Sequence, residues 1–188
     1  TWSLAQPFRV IAHNGEINTL KGNKNWMSAH EPRLKHPNFG SSINDLKPII
    51  NPDDSDSAAL DSAMELLVQS NRSLPMAKII TIPEAWAHRR DFSKKLKDLY
   101  AYSNAVMEPW DGPAAICGVH NNWAIAGMDR NGLRPLRYTL TDEYLIAGSE
   151  TGMVEVSENQ IIEKGRVGPG QIIAIDFDEG KFYSDEKI

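Results

Sequence analysis

The residues with the clearest capacity for chemistry are Asn14 and Gly15, which follow an apolar stretch. That stretch predicts a buried strand from Val10 to Ala12, and Asn-Gly predicts a tight turn at its end. An Asn side-chain amide and a Gly backbone N–H that meet at one point can form an oxyanion hole, because both donate to a developing negative charge. The same dipeptide is also a strong signal for an ordinary hairpin turn. These two residues alone leave both interpretations open.

Further motifs follow in a fixed order along the chain. Ser55-Asp56-Ser57 opens a helical pattern, and Asp129-Arg130-Asn131-Gly132-Leu133-Arg134-Pro135-Leu136 is followed by Ala147-Gly148-Ser149-Glu150. Together with His13-Asn14-Gly15-Glu16, they resemble the class II glutamine amidotransferases, which release ammonia from glutamine. The continuation to Thr19 and the stretch Trp110-Asp111-Gly112-Pro113-Ala114 look most like the amidotransferase domain of the glutamate synthase large chain. The resemblance covers residues 6 to 183, and three ordered motifs are more specific than any one of them.

The resemblance implies a role for each candidate site residue. Asn14 and Gly15 would form the oxyanion hole, and Asp56 would hold the α-amino group of the substrate glutamine. His13 and Glu16 flank the Asn-Gly pair and would support the substrate site. Asp56 has a competing interpretation, because an Asp at a helix N-cap accepts backbone N–H bonds and then has little capacity left for an ammonium group.

The family uses a Cys nucleophile at the mature N-terminus, whose own amine acts as the general base. The chain begins with Thr1 and contains one Cys, Cys117. Cys117 lies in an apolar strand pattern and is expected to be an inert core residue; Thr1 is expected to have no catalytic role. We therefore expect residues 1–188 to be a partial amidotransferase domain, without its nucleophile segment and inactive by itself.

The predicted elements are helices first and strand hairpins later, which indicates an α+β fold. The resemblance implies a four-layer α-β-β-α sandwich of the N-terminal-nucleophile type, N-terminally incomplete. Between the first two helices, residues 37–54 read as a long loop that is either a lid over the glutamine site or a plain surface loop. Helices are predicted over Asn18–Leu34, within Asp53–Ser70 and over Asp91–Val106, with a helix-and-loop element around Met76–Trp86. The predicted hairpins begin at Ala114, Arg137 and Gly170.

Composition limits the function further. The net charge is −5 without a basic stripe, which gives no support to nucleic-acid binding. No apolar run is long enough to span a membrane. A single Cys suits a reducing compartment, so the cytoplasm is expected, with a plastid stroma as the alternative. No Cys or His cluster indicates a metal, and no cofactor is expected in this domain.

The resemblance implies a glutaminase that passes ammonia to 2-oxoglutarate to form glutamate. The partners would be glutamine, a synthase domain of the same enzyme that carries FMN and an iron–sulfur cluster, and a small electron-donating subunit. Two alternatives stay open at this point. One is a class II amidotransferase of another biosynthetic pathway, and the other is a catalytically inactive domain that binds glutamine or serves as a scaffold.

Overall fold

Two antiparallel sheets form the centre of the computed structural model, which describes residues 5–185. The strands are β1 (Ile11–Gly15), β2 (Ala114–His120), β3 (Trp123–Met128), β4 (Arg137–Thr141), β5 (Leu145–Gly148), β6 (Ile161–Arg166), β7 (Ile172–Asp176) and β8 (Lys181–Tyr183). The larger sheet has five strands in the spatial order β1-β2-β3-β7-β8, and the smaller has three in the order β5-β4-β6.

The helices lie between β1 and β2 in sequence. Each of the last three begins after a Ser whose hydroxyl accepts a backbone N–H, as Ser55 does from Ala58 over 3.2 Å, which satisfies one of the free donors of the first turn. The helices are α1 (Leu20–His30), α2 (Asp56–Gln69), α3 (Leu74–Thr81) and α4 (Lys94–Val106), with short 3₁₀ turns at Glu31–Arg33, Gly40–Asn44 and Glu158–Gln160.

The apolar side chains form two cores, one on each face of the larger sheet. Leu60 and Met64 of α2 pack with Ile125 against one face, where the other helices also contribute. The opposite face contributes Ala126 and Ile173 to a core shared with the smaller sheet. The strand alternation therefore buries both faces of the larger sheet.

The α+β prediction is confirmed, and residues 5–185 form three of the four expected layers: helices, the larger sheet and the smaller sheet. The first predicted helix is shorter than expected, since α1 ends at His30 and the chain tightens into a 3₁₀ turn that contains Pro32. The long loop is more ordered than a plain surface loop, because it contains a 3₁₀ turn and buries Ile43 and Ile50. Its role as a lid stays a prediction.

Candidate functional site

Asn14 and Gly15 are the last two residues of β1, at one edge of the larger sheet. β1 pairs antiparallel with β2, with Gly15 opposite Ala114. The hairpin interpretation of Asn-Gly is therefore wrong, because the partner strand lies far along the chain instead of directly after a two-residue turn. Asn14 is exposed and faces the space between the two sheets.

Residue 15 packs so closely against the backbone of the segment before β2 that only a glycine fits there. Its φ is +155°, and a Cβ there would lie 1.8 Å from the carbonyl oxygen of Pro113. Gly112 has the same φ, and its Cβ would lie 2.0 Å from the carbonyl oxygen of Glu16. Two glycines thus let the end of β1 approach the start of β2 more closely than any side chain permits.

The segment around Asp111 holds the chain that leaves β1. The Asp111 carbonyl accepts from the backbone N–H groups of Asn18 (2.8 Å) and Thr19 (3.3 Å), and the Asp111 N–H donates to the Thr19 hydroxyl over 3.0 Å. The Asp111 carboxylate also forms an ion pair with Arg130 of the later motif, as expected for an Arg that pairs with a carboxylate and does not bind substrate. This segment therefore fixes the position of the Asn14-Gly15 pair from the β2 side.

The first turn of α2 brings Asp56 to the same end of β1. Ser55 is the N-cap, so Asp56 is the first residue of the helix and the N-cap interpretation of Asp56 is wrong. Its carboxylate nevertheless accepts three hydrogen bonds: Oδ2 from Ile17 N–H (2.8 Å), and Oδ1 from the N–H (2.8 Å) and hydroxyl (3.3 Å) of Ser57. A carboxylate offers about four acceptor positions, so among the described residues one position on Oδ2 has no donor.

His13 is buried and lies against the same helix turn. Its Nε2 is 2.5 Å from the Ser57 hydroxyl oxygen, and its backbone N–H donates to the Gln6 side chain over 2.5 Å. Burial lowers the pKa of the His13 imidazole, while the Asp56 carboxylate acts in the opposite direction. The imidazole is therefore neutral near pH 7. Glu16 is exposed, and its backbone N–H donates to the carbonyl of Pro113 over 3.1 Å.

Asp61 is a residue of this region that the sequence analysis missed. It is 2 % exposed, and its carboxylate accepts from the backbone N–H groups of Arg9 (3.2 Å), Val10 (2.9 Å) and Ile11 (2.9 Å). Asp56 and Asp61 therefore attach both ends of β1 to α2. One sequence feature could have identified Asp61 as buried. It is a charged residue directly after Leu60, within the apolar periodicity of α2.

An open cleft of about 350 Å³ separates the two sheets beside Asn14. Cys117 of β2 and Arg134 and Ser149 from the smaller-sheet side also line it. Cys117 is exposed, so the prediction that it is a buried core residue is wrong. The apolar strand pattern was correct, but the side chain points into the open cleft. Thr1, the other residue weighed as a nucleophile, lies outside the described residues.

Residues 5–185 contain no group of three or more His, Cys, Asp or Glu side chains that could hold a metal ion. No helix within the same range is long and apolar enough to cross a membrane. That this domain binds no metal and no cofactor stays a prediction.

Comparisons with known proteins agree on one family. A family model described as glutamine amidotransferases class-II matches residues 1–188. The large chain of NADPH glutamate synthase from Azospirillum brasilense is 54% identical over 189 residues, and its Bacillus subtilis counterpart is 44% identical over 189. Ferredoxin-dependent glutamate synthase from Pyropia yezoensis is 46% identical over 190. Each match covers all of this chain and 12% of the relative, so the chain spans only a small part of these proteins.

Among solved structures, glutamine phosphoribosylpyrophosphate amidotransferase from B. subtilis aligns with a TM-score of 0.48 and 20% identity. The alignment covers 93% of this chain and 28% of that one.

Proposed function

Because the chain belongs to the class II glutamine amidotransferases, we propose that it carries the oxyanion hole and part of the substrate site of the glutaminase domain of a glutamate synthase. The observation that carries this proposal is the Asn14-Gly15 pair. The pair ends an edge strand that α2 holds on one side and the Asp111 segment holds on the other. Donors held from two directions suit an oxyanion hole, because they need no rearrangement when charge develops.

The proposed reaction is acyl transfer. A Cys thiolate from a segment outside the 188 residues attacks the side-chain carbonyl carbon of glutamine, and Asn14 Nδ2–H and Gly15 N–H donate to the oxyanion. The general base that took the thiol proton returns it to the amide nitrogen, and the tetrahedral intermediate then expels ammonia and leaves a thioester. Water then attacks the thioester, which releases glutamate and the free thiol.

Asp56 is proposed to hold the α-ammonium group of glutamine. The free acceptor position on its Oδ2 supports this role, since a carboxylate with one such position can still form a charge-assisted hydrogen bond. His13 and Glu16 are proposed to support the substrate site. His13 does so through Ser57, and Glu16 through its position directly after Gly15.

The remainder of the enzyme is proposed to use the ammonia. It would condense with 2-oxoglutarate, and two electrons would reduce the resulting imine to a second glutamate. FMN and an iron–sulfur cluster would supply those electrons from a synthase domain, fed by a small electron-donating subunit or by ferredoxin. A cytoplasmic location is proposed because a single Cys suits a reducing compartment. A plastid is the alternative, since two relatives are described as chloroplastic or chloroplastic/mitochondrial.

Glutamine hydrolysis by the full-length protein tests the proposal. Replacing Asn14 by Ala removes one donor and is expected to lower kcat for ammonia release about 100-fold or more. Asn25→Ala, an exposed change on α1, is the matched control and is expected to leave kcat unchanged. Equal kcat values for the two variants would contradict the oxyanion assignment. A wild-type protein that binds glutamine without hydrolysing it would favour the inactive binding domain instead.

A further inference from the structure

Ser57 connects two residues of the site that do not contact each other through any hydrogen bond among the described residues. Its hydroxyl oxygen lies 2.5 Å from His13 Nε2 and 3.3 Å from Asp56 Oδ1. An ionised carboxylate can only accept, so the Ser57 hydroxyl donates its proton to Asp56. The hydroxyl oxygen must then accept from His13, which places the imidazole proton on Nε2.

The same assignment leaves His13 Nδ1 as a bare acceptor. Among residues 5–185, Nδ1 is buried and has no hydrogen-bond partner. An unprotonated nitrogen is the less costly form to bury without a partner, since an orphaned N–H would lose a donor bond outright. Burial also lowers the pKa of His13, which agrees with a neutral ring. The hydrogen bonds and the orphaned nitrogen thus select one tautomer.

The hydrogen bonds of Asp56 and Ser57 lie on both sides of the Asn14-Gly15 pair. His13 directly precedes Asn14, and Ile17 follows Gly15 by two residues. His13 is held by the Ser57 side chain, and the Ile17 N–H is held by Asp56. A single helix turn therefore contacts the chain on both sides of Asn14-Gly15.

We propose that Ser57 is a positioning residue that couples the orientation of the Asp56 carboxylate to the strand end that carries Asn14 and Gly15. The inference rests on the proposed function, because it takes Asp56 as the ammonium-binding group. When the ammonium group of glutamine binds Asp56 and orients its carboxylate, the hydrogen bond from Ser57 to that carboxylate also orients the Ser57 hydroxyl. The hydrogen bond between Ser57 and His13 is then shortened as well. The substrate site and the oxyanion hole are then aligned by one hydrogen-bonded chain.

Steady-state kinetics of the full-length enzyme test this coupling. Ser57→Ala is expected to raise KM for glutamine about tenfold, the effect of one hydrogen bond to a charged group, and to change kcat less. Ser57→Thr keeps the hydroxyl and is expected to restore KM to within about threefold. Ser62→Ala is the control and is expected to keep the wild-type KM. Ser62 is a half-buried serine of the same helix that does not belong to the hydrogen-bonded chain of His13, Ser57 and Asp56.

A double-mutant cycle adds a readout that a purely structural role would not move. If His13 acts through Ser57, the His13→Gln and Ser57→Ala changes in KM are strongly non-additive, and the double variant resembles Ser57→Ala. Additive changes would overturn the proposal. A second readout needs no variant: ¹⁵N NMR of labelled histidine is expected to show a protonated Nε2 and an unprotonated Nδ1 in His13. A proton on Nδ1 would also overturn it.

Asp56→Asn separates the failure of this inference from the failure of the proposed function. A raised KM in Asp56→Asn beside a wild-type KM in Ser57→Ala overturns the coupling and leaves the role of Asp56 intact. A wild-type KM in both variants overturns the role of Asp56 in glutamine binding, and the coupling with it. A raised KM in both, with rescue by Ser57→Thr, supports the coupling.

Discussion

Replacing Asp61 by Asn tests how β1 is held in place. The carboxylate accepts from three consecutive backbone N–H groups at the start of β1, Oδ1 from Val10 and Ile11 and Oδ2 from Arg9. The Asn side chain has nearly the same shape but only one acceptor oxygen. With that oxygen in the Oδ1 position, its NH₂ group faces the Arg9 N–H, and two donors oppose each other.

The expected cost follows from the bonds that change. A hydrogen bond to a charged group contributes about 1.5–3 kcal/mol and a neutral one about 1 kcal/mol. The variant loses one charged bond and converts two others to neutral ones, so the local stability of β1 is expected to fall by about 3 kcal/mol. That difference corresponds to about a 100-fold increase in local opening.

Native-state hydrogen exchange of the full-length protein measures this opening directly. The N–H groups of Arg9, Val10 and Ile11 are expected to exchange about 100-fold faster in Asp61→Asn, while β7 keeps its protection. Asp98→Asn, an exposed change on α4, is the control and is expected to shift no strand. An increase below about threefold in β1, or the same increase in every strand, would refute the assignment of Asp61 as the local anchor.

The remaining predictions concern three other positions. Gly15→Ala is expected to lower glutamine hydrolysis at least as much as Asn14→Ala, because its Cβ would lie 1.8 Å from the Pro113 carbonyl; Gly22→Ala, with open space around its Cβ, should keep the wild-type rate. Burial lowers the pKa of Lys78 from 10.5 to about 8, so the unfolded chain binds more protons between these values and stability rises with pH across that range. Unfolding free energies measured across this pH range should rise about 3 kcal/mol less in Lys78→Met than in the wild-type protein. The same pH dependence in both proteins would contradict this. Cys117→Ser is expected to keep glutamine hydrolysis within about twofold, as suits a residue that lines the cleft without reacting; inactivation would instead make this thiol the nucleophile.

Local signals explain most of the elements that could be predicted from the sequence. The periodicity of Leu60, Met64 and Leu67 predicts α2, and the structure buries all three. The Asn121-Asn122 pair predicts the turn between β2 and β3, where Asn121 adopts a φ of +51°. Such features depend on neighbours in sequence, so a single chain is enough to find them.

Contacts between distant segments explain what could not be predicted. Asp61 bonds to residues about fifty positions earlier, and Ser57 to His13 across forty-four positions. No local pattern encodes either pairing. Gly15 packs against the backbone of Pro113, which lies far later in the chain. The prediction that Cys117 is a core residue is wrong because a strand pattern does not reveal that the cleft beside it is open.

The most direct test of the central claim is the ratio of glutamine-dependent to ammonia-dependent glutamate formation in the full-length Asn14→Ala enzyme. If Asn14 stabilises the oxyanion of the glutaminase reaction, the glutamine-dependent rate falls about 100-fold or more while the rate with added ammonia stays at the wild-type level. An equal loss of both rates would contradict the account, because Asn14 would then support the whole enzyme and not the release of ammonia from glutamine.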